Sequence, residues 1–121
     1  MPYNVYGGLQ DNGSWRGPAY VWRSGGIRNE YWQEVMFGDG FDVMPDPDDA
    51  RYGYAMSQGG NVGRYDYKTG ASYSIKPTAP DLETKLRFHW NAAIEQDPFD
   101  NATIYFGSQF LHKSMDKGLS W

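Results

Sequence analysis

No stretch of the chain sustains the apolar period of a long amphipathic helix. The best helical candidate is DLETKLRFHW, residues 81–90, and it is short. Elsewhere, short strand-like runs are separated by Gly, Asp, Asn and Pro turns. The middle of the chain is the clearest example. FDVMPD is an apolar first strand, DPDDA a turn and RYGYAMS a second strand. QGGN then turns into a third strand, VGRYD, and YKTGA is a hairpin turn into a fourth, SYSIKP. The same order follows in WNAAIEQ, DPFDN, ATIYFGSQ, FLHKS and MDKG, with LSW expected to open another fourth strand. The first unit begins at YNVYGG, without a first strand of its own.

These units repeat. DPDDARYGYAMSQ matches DPFDNATIYFGSQ, so that Asp46, Pro47, Asp49, Tyr54, Ser57 and Gln58 answer Asp97, Pro98, Asp100, Tyr105, Ser108 and Gln109. A Tyr-x-x-x-Gln pattern also links Tyr6 with Gln10 in the first unit. The period is roughly 50 residues, in the range of propeller blades. The expectation is an all-β chain of about two and a half four-stranded antiparallel blades, cut from a larger propeller. Residues 1–37 end one blade, 38–79 form a complete one, and 80–121 form a third whose last strand stops short at Trp121.

Composition strengthens the β reading. Aromatics make up 17% of the residues, with ten Tyr and five Trp, and there are fifteen Gly; such usage favours pleated sheet. A net charge of −4 argues against a nucleic-acid footprint. No Cys is present, which excludes disulfides and thiolate metal sites. No apolar run approaches the length of a membrane span, and no signal-peptide pattern follows Met1.

The last eight residues, SMDKGLSW, carry Ser114, Asp116, Gly118 and Trp121 in the spacing of an Asp-box, with Ser120 at the usual Thr position. With DPFDNATIYFGSQ before it, the pattern resembles BNR/Asp-box propellers, a group that includes sialidases, xyloglucanase-like glycoside hydrolases and sortilin-type (VPS10) propellers. PYNVYGGLQDNGSWRGP, GDGFDV, SQGGNVGRYDYKTG, SIKP and LRFHWNAAI are similar to bacterial exported sortilin-like proteins, also described as glycosyl hydrolases with BNR repeats. The resemblance implies a periplasmic, cell-surface or extracellular location. It implies no single activity, because the group contains both enzymes and receptors. Within the box all four roles are structural: Asp116 and Ser114 bond turn backbone, Gly118 supplies a positive φ, and Trp121 packs between blades.

In a propeller, the loops from second to third strand and from fourth to first strand share one face. That face collects Gln10, Asp11, Asn12, Gln58, Asn61 and Gln109, with Asp39, Arg87, His89 and Trp90 from the longer connections. Amides bond sugar hydroxyls and an indole offers an apolar face, so carbohydrate or peptide is the expected ligand. Each residue has a plainer alternative. The repeated Gln can bond neighbouring backbone, Asp39 can hold a turn, Trp90 and His89 can be core, and Arg87 can pair with a carboxylate. Hydrolysis would need two carboxyl groups flanking the bond; Asp39 and Asp42 are the candidates. DPDD lacks the Gly and Glu of a calcium loop, so neither metal nor cofactor is expected. The Asn101 sequon is formal only. Three roles remain: ligand binding, part of a glycoside hydrolase, or assembly with further blades or other chains along open sheet edges.

Overall fold

The computed structural model describes residues 3–121 and is all-β, with three antiparallel sheets. Residues 1–2 of the first expected unit lie outside the described residues. The first sheet has order β1(Asn4–Leu9), β2(Gly13–Pro18), β3(Gln33–Met36). The second runs β4(Gly40–Pro45), β5(Tyr52–Ser57), β6(Asn61–Asp66), β7(Ala71–Ser74). The third runs β8(Ile94–Gln96), β9(Ile104–Gly107), β10(Leu111–Ser114). Each sheet is a meander in sequence order, as tight polar turns between short alternating runs dictate.

The sheets stack in chain order, with the second in the middle. Tyr54, Met56 and Val62 on one of its faces meet Ile94, Ile104 and Phe106 of the third sheet in the main core. Ala55 and Tyr65 on its other face meet Val35, Tyr6 and Met36 of the first. Successive β5 residues point to opposite faces, and from Gly53 to Ser57 every one of them is buried. The first and second sheets touch through glycine. A Cβ on Gly8 would strike the backbone of Gly40 and Phe41, and one on Gly40 would strike Gly13. Only hydrogen at these positions lets β1 lie so close to β4.

The second and third sheets are pinned by charge. The Asp46 carboxylate is almost wholly buried and pairs with Arg64 Nη2 at 2.9 Å and Lys117 Nζ at 2.9 Å. Lys117 also reaches Asp48 at 2.8 Å, and Asn101 Nδ2 donates to Asp48 Oδ1 at 2.8 Å. Asp46 Oδ1 further accepts the Asp48 N–H at 3.0 Å, which makes the DPDD segment a turn. Asp97 does the same with Phe99 in DPFD, at 2.8 Å.

Two expectations are corrected. Residues 81–90 form no helix. The Asp81 carboxylate takes the N–H groups of Glu83 and Thr84. The Arg87 N–H and the Lys85 carbonyl bond the Gln109 side chain instead of a helical partner. Leu82 is fully exposed, so the apolar spacing had no buried face to serve. Residues 119–121 also add no strand to the third sheet. Trp121 instead donates its Nε1–H to the Ile75 carbonyl at 2.7 Å and packs against the main core.

Removing the Asp46 carboxylate strands the largely buried Arg64 and leaves Lys117 with Asp48 alone. Asp46→Ala is expected to cost about 3 kcal/mol of stability, read as a lower urea midpoint at unchanged slope. A loss under about 0.5 kcal/mol, the scale of an exposed ion pair, would refute the pinning role.

Candidate functional site

The turns from second to third strand lie at one end of the stack, and hydrogen bonds cross all three sheets there. In the first sheet Asp11 takes a left-handed conformation, φ 61°. Asp is among the few residues that tolerate it. The turn thereby presents the Asp11 N–H to Asp39 Oδ1 at 2.8 Å. The Asp39 N–H in turn donates to Gln58 Oε1 at 2.8 Å. Beside Gln58, the Gly59 N–H donates to the Trp90 carbonyl at 3.0 Å, which ties in the segment leading to the third sheet. A Cβ on Gly60 would strike the Phe88 ring, so the same segment also packs on this turn.

The repeated glutamines share one task. Gln58 caps the N–H of the residue preceding β4, and Gln109 Oε1 caps the Arg87 N–H at 2.7 Å. Gln109 also donates Nε2–H to the Lys85 carbonyl at 2.8 Å. Each Gln therefore closes the connection that leads into its own sheet. Gln10 sits at the same place in the first sheet and is exposed; its carbonyl accepts the Asn12 Nδ2–H at 3.1 Å.

The other expected residues fall around this line. Asn61 donates Nδ2–H to the Gln58 carbonyl at 2.9 Å, and its Oδ1 accepts from Lys76 Nζ at 3.3 Å. Lys76 also holds the Gly59 carbonyl at 3.0 Å, a role with no signal in the sequence. Trp90 is 59% exposed, so its ring is available at the rim rather than in the core. His89 is exposed and accepts the Asn91 N–H at Nδ1, 3.2 Å. Arg87 is exposed too. Asp42 is an exposed residue of β4 beside an irregularity in the β4–β5 register, and no bond brings it to Asp39. Among the described residues no group of three or more His, Asp or Glu is placed to hold a metal ion.

Two further features escape sequence reasoning. Ser108 Oγ lies 2.7 Å from His112 Nε2. Burial lowers the His112 pKa and so favours its neutral ring. Ser108 Oγ also accepts the Phe110 N–H at 3.0 Å, which is a turn-forming role. The second feature is the exposed β2–β3 loop, where Trp22 and Tyr20 meet edge to face.

The turn from Ser114 to Ser120 closes the opposite end of the third sheet. The buried Ser114 hydroxyl donates to Asp116 Oδ1 at 2.7 Å and accepts the Gly118 N–H at 2.8 Å. Asp116 Oδ1 accepts the Ser120 N–H at 2.8 Å, and Oδ2 accepts the Ser120 hydroxyl. Gly118 has φ 90° and sits against Ile75. Bonds from Ser120, then Ser114, hold the Asp116 pKa down to about 2. An unfolded Asp titrates near ~4. The stabilisation is thus complete above that value and is lost as pH falls toward about 2. Asp116→Asn is expected to flatten the fall in urea midpoint between pH ~4 and ~2. An unchanged slope there would mean that Asp116 gains nothing on folding.

No family model matches the chain, and no curated protein or solved structure shows significant similarity to it.

Proposed function

We propose that the three sheets are consecutive blades of an exported Asp-box propeller, and that the end bearing the second-to-third turns binds carbohydrate. Stacking of the sheets in chain order, with the middle one covered on both faces, supports the blade reading. So does the Ser114–Asp116–Gly118 turn with Trp121 packed on the core. The resemblance to exported BNR-repeat proteins supplies the location, at the cell surface or in the periplasm.

One observation carries the binding reading. The Asp11–Asp39–Gln58 bonds and the Gly59–Trp90 bond fix a rim from which an indole face projects. A preorganised rim loses little ordering entropy on binding. Trp90 can stack on the apolar face of a sugar ring. The side chains of Gln10, Asp11 and Arg87 are exposed along the same end and suit ring hydroxyls. Peptide is the other ligand class this surface suits.

A second reading, glycoside hydrolysis, is favoured by one contact. Asp11 and Asp39 belong to neighbouring sheets and meet through the Asp11 N–H. Two carboxyl groups on adjacent sheets are a starting point for an acid and a base.

Calorimetric titration with a panel of neutral oligosaccharides tests both. The expected result is binding without release of reducing sugar, weakened roughly tenfold or more by Trp90→Ala. Full affinity in that variant would move the site away from this rim. Release of reducing sugar that is abolished by Asp39→Asn would favour the hydrolase instead.

A further inference from the structure

The turn between β1 and β2 carries the dipeptide Asn12–Gly13, and the fold accounts for both residues. Gly13 has φ 74°, and a Cβ there would strike Glu34 Oε1 and the Met36 carbonyl. Glycine meets both demands. Asn12 holds the turn. Its N–H donates to the Leu9 carbonyl at 3.2 Å, and its Nδ2–H to the Gln10 carbonyl at 3.1 Å. Such local bonds are why Asn is favoured in turns. The pair is also chemically labile. With no Cβ on the residue after Asn, little hinders that residue's main-chain nitrogen from attacking the Asn side chain.

In the folded chain that nitrogen is held. The Gly13 N–H donates to the Gly38 carbonyl at 2.8 Å. On the other side of Asn12, the Asp11 N–H donates to Asp39 Oδ1 at 2.8 Å. Asn12 is thus clamped from both sides to the connection between β3 and β4. The Trp15 indole N–H adds a bond to the Asn12 carbonyl. Attack needs a nitrogen that has lost its proton and a main chain free to turn it onto the side chain. The clamp withholds both.

We propose that Asn12 is a site of spontaneous deamidation, gated by opening of the rim. In the open state the deprotonated Gly13 nitrogen attacks Asn12 Cγ. A bond forms from that nitrogen to Cγ, the bond from Cγ to Nδ2 breaks, and ammonia leaves with the proton that Gly13 gave up. The product is a succinimide ring. Water then adds to one of its two carbonyls. Opening at Cγ gives aspartate, and opening at the main-chain carbonyl gives isoaspartate, whose chain runs on through Cγ. The sum is asparagine plus water to aspartate or isoaspartate plus ammonia, with nothing oxidised or reduced. Either product adds a carboxylate beside Asp11 and Asp39, where like charges repel. Isoaspartate also lengthens the main chain by a methylene, so the Asp11 and Gly13 N–H groups no longer match Asp39 and Gly38 together. The change is one-way and marks a rim that has opened, whatever the rim binds.

The whole chain and a synthetic peptide of residues 4–16 are incubated side by side at mildly alkaline pH. Mass spectrometry of the tryptic fragment ending at Arg16 measures conversion, and electron-transfer fragmentation separates isoaspartate from aspartate. Conversion in the folded chain is expected to be roughly tenfold or more slower than in the peptide. Asp39→Ala removes one arm of the clamp and is expected to speed conversion in the chain roughly tenfold. Its urea midpoint shows whether this variant is folded. A second measurement needs no variant. In urea below the unfolding transition, the rate in the unaltered chain is expected to stay nearly level, because a local opening exposes little surface. Equal rates in chain and peptide would overturn the proposal, as would an unchanged rate in folded Asp39→Ala. So would a rate that climbs in urea with the slope of global unfolding, which would make the whole fold the gate and not the rim.

Discussion

The centre of the second sheet, at β5, has no free face, and the rest of the structure follows from that constraint. A sheet packed on both sides must read as nearly continuous burial, not as alternation, and β5 does so from Gly53 to Ser57. Its neighbours must come close enough to exclude water. On one side Gly8 and Gly40 let backbone meet backbone. On the other, aromatic and aliphatic side chains fill the gap while Asp46, Arg64 and Lys117 neutralise one another at its margin. A buried ion cluster of this kind contributes less to net stability than to geometry, because a misplaced third sheet would take Lys117 away and leave the buried Asp46 with Arg64 alone.

Once the stack is fixed, the turns at its ends are fixed with it. At one end Ser114, Asp116 and Ser120 knit themselves into a self-bonded turn. At the other, side chains bond backbone between sheets, and Trp90 is left with an exposed ring. The two ends thus differ in kind. The polar groups of the first satisfy one another, while main-chain donors stiffen the second and leave side chains facing water. That asymmetry is the physical basis for placing ligand recognition at the second-to-third turns.

Much of this architecture is legible in the residues. Alternation and Gly/Asp turns mark the strands, and the repeat from Asp46 to Gln58 and from Asp97 to Gln109 sets the second and third sheets in register. The segment 81–90 misleads because Leu82 and Leu86 have helical spacing. What decides its path is Gln109, a partner distant in sequence that takes Arg87 and Lys85. DPDD is recognisable as a turn, yet its buried pairing with Lys117 joins residues from two sheets and leaves no local trace. At the rim, the bonds show the plain reading of Gln58 and Asp39. Gln58 and Asp39 bond neighbouring backbone and so build the surface, and the exposed Trp90 is the element free to meet a ligand.

A preorganised rim depends most directly on the hydrogen bonds that cross the sheets at this end. Native-state amide exchange resolved by residue is the decisive measurement, because turn amides otherwise exchange near the unfolded rate. The Asp11, Asp39 and Gly59 amides are predicted to be protected well above that of the fully exposed Leu82, and to open together. Exchange of all three at the rate of Leu82 would contradict this, leaving the rim a set of independent loops with no preorganised site.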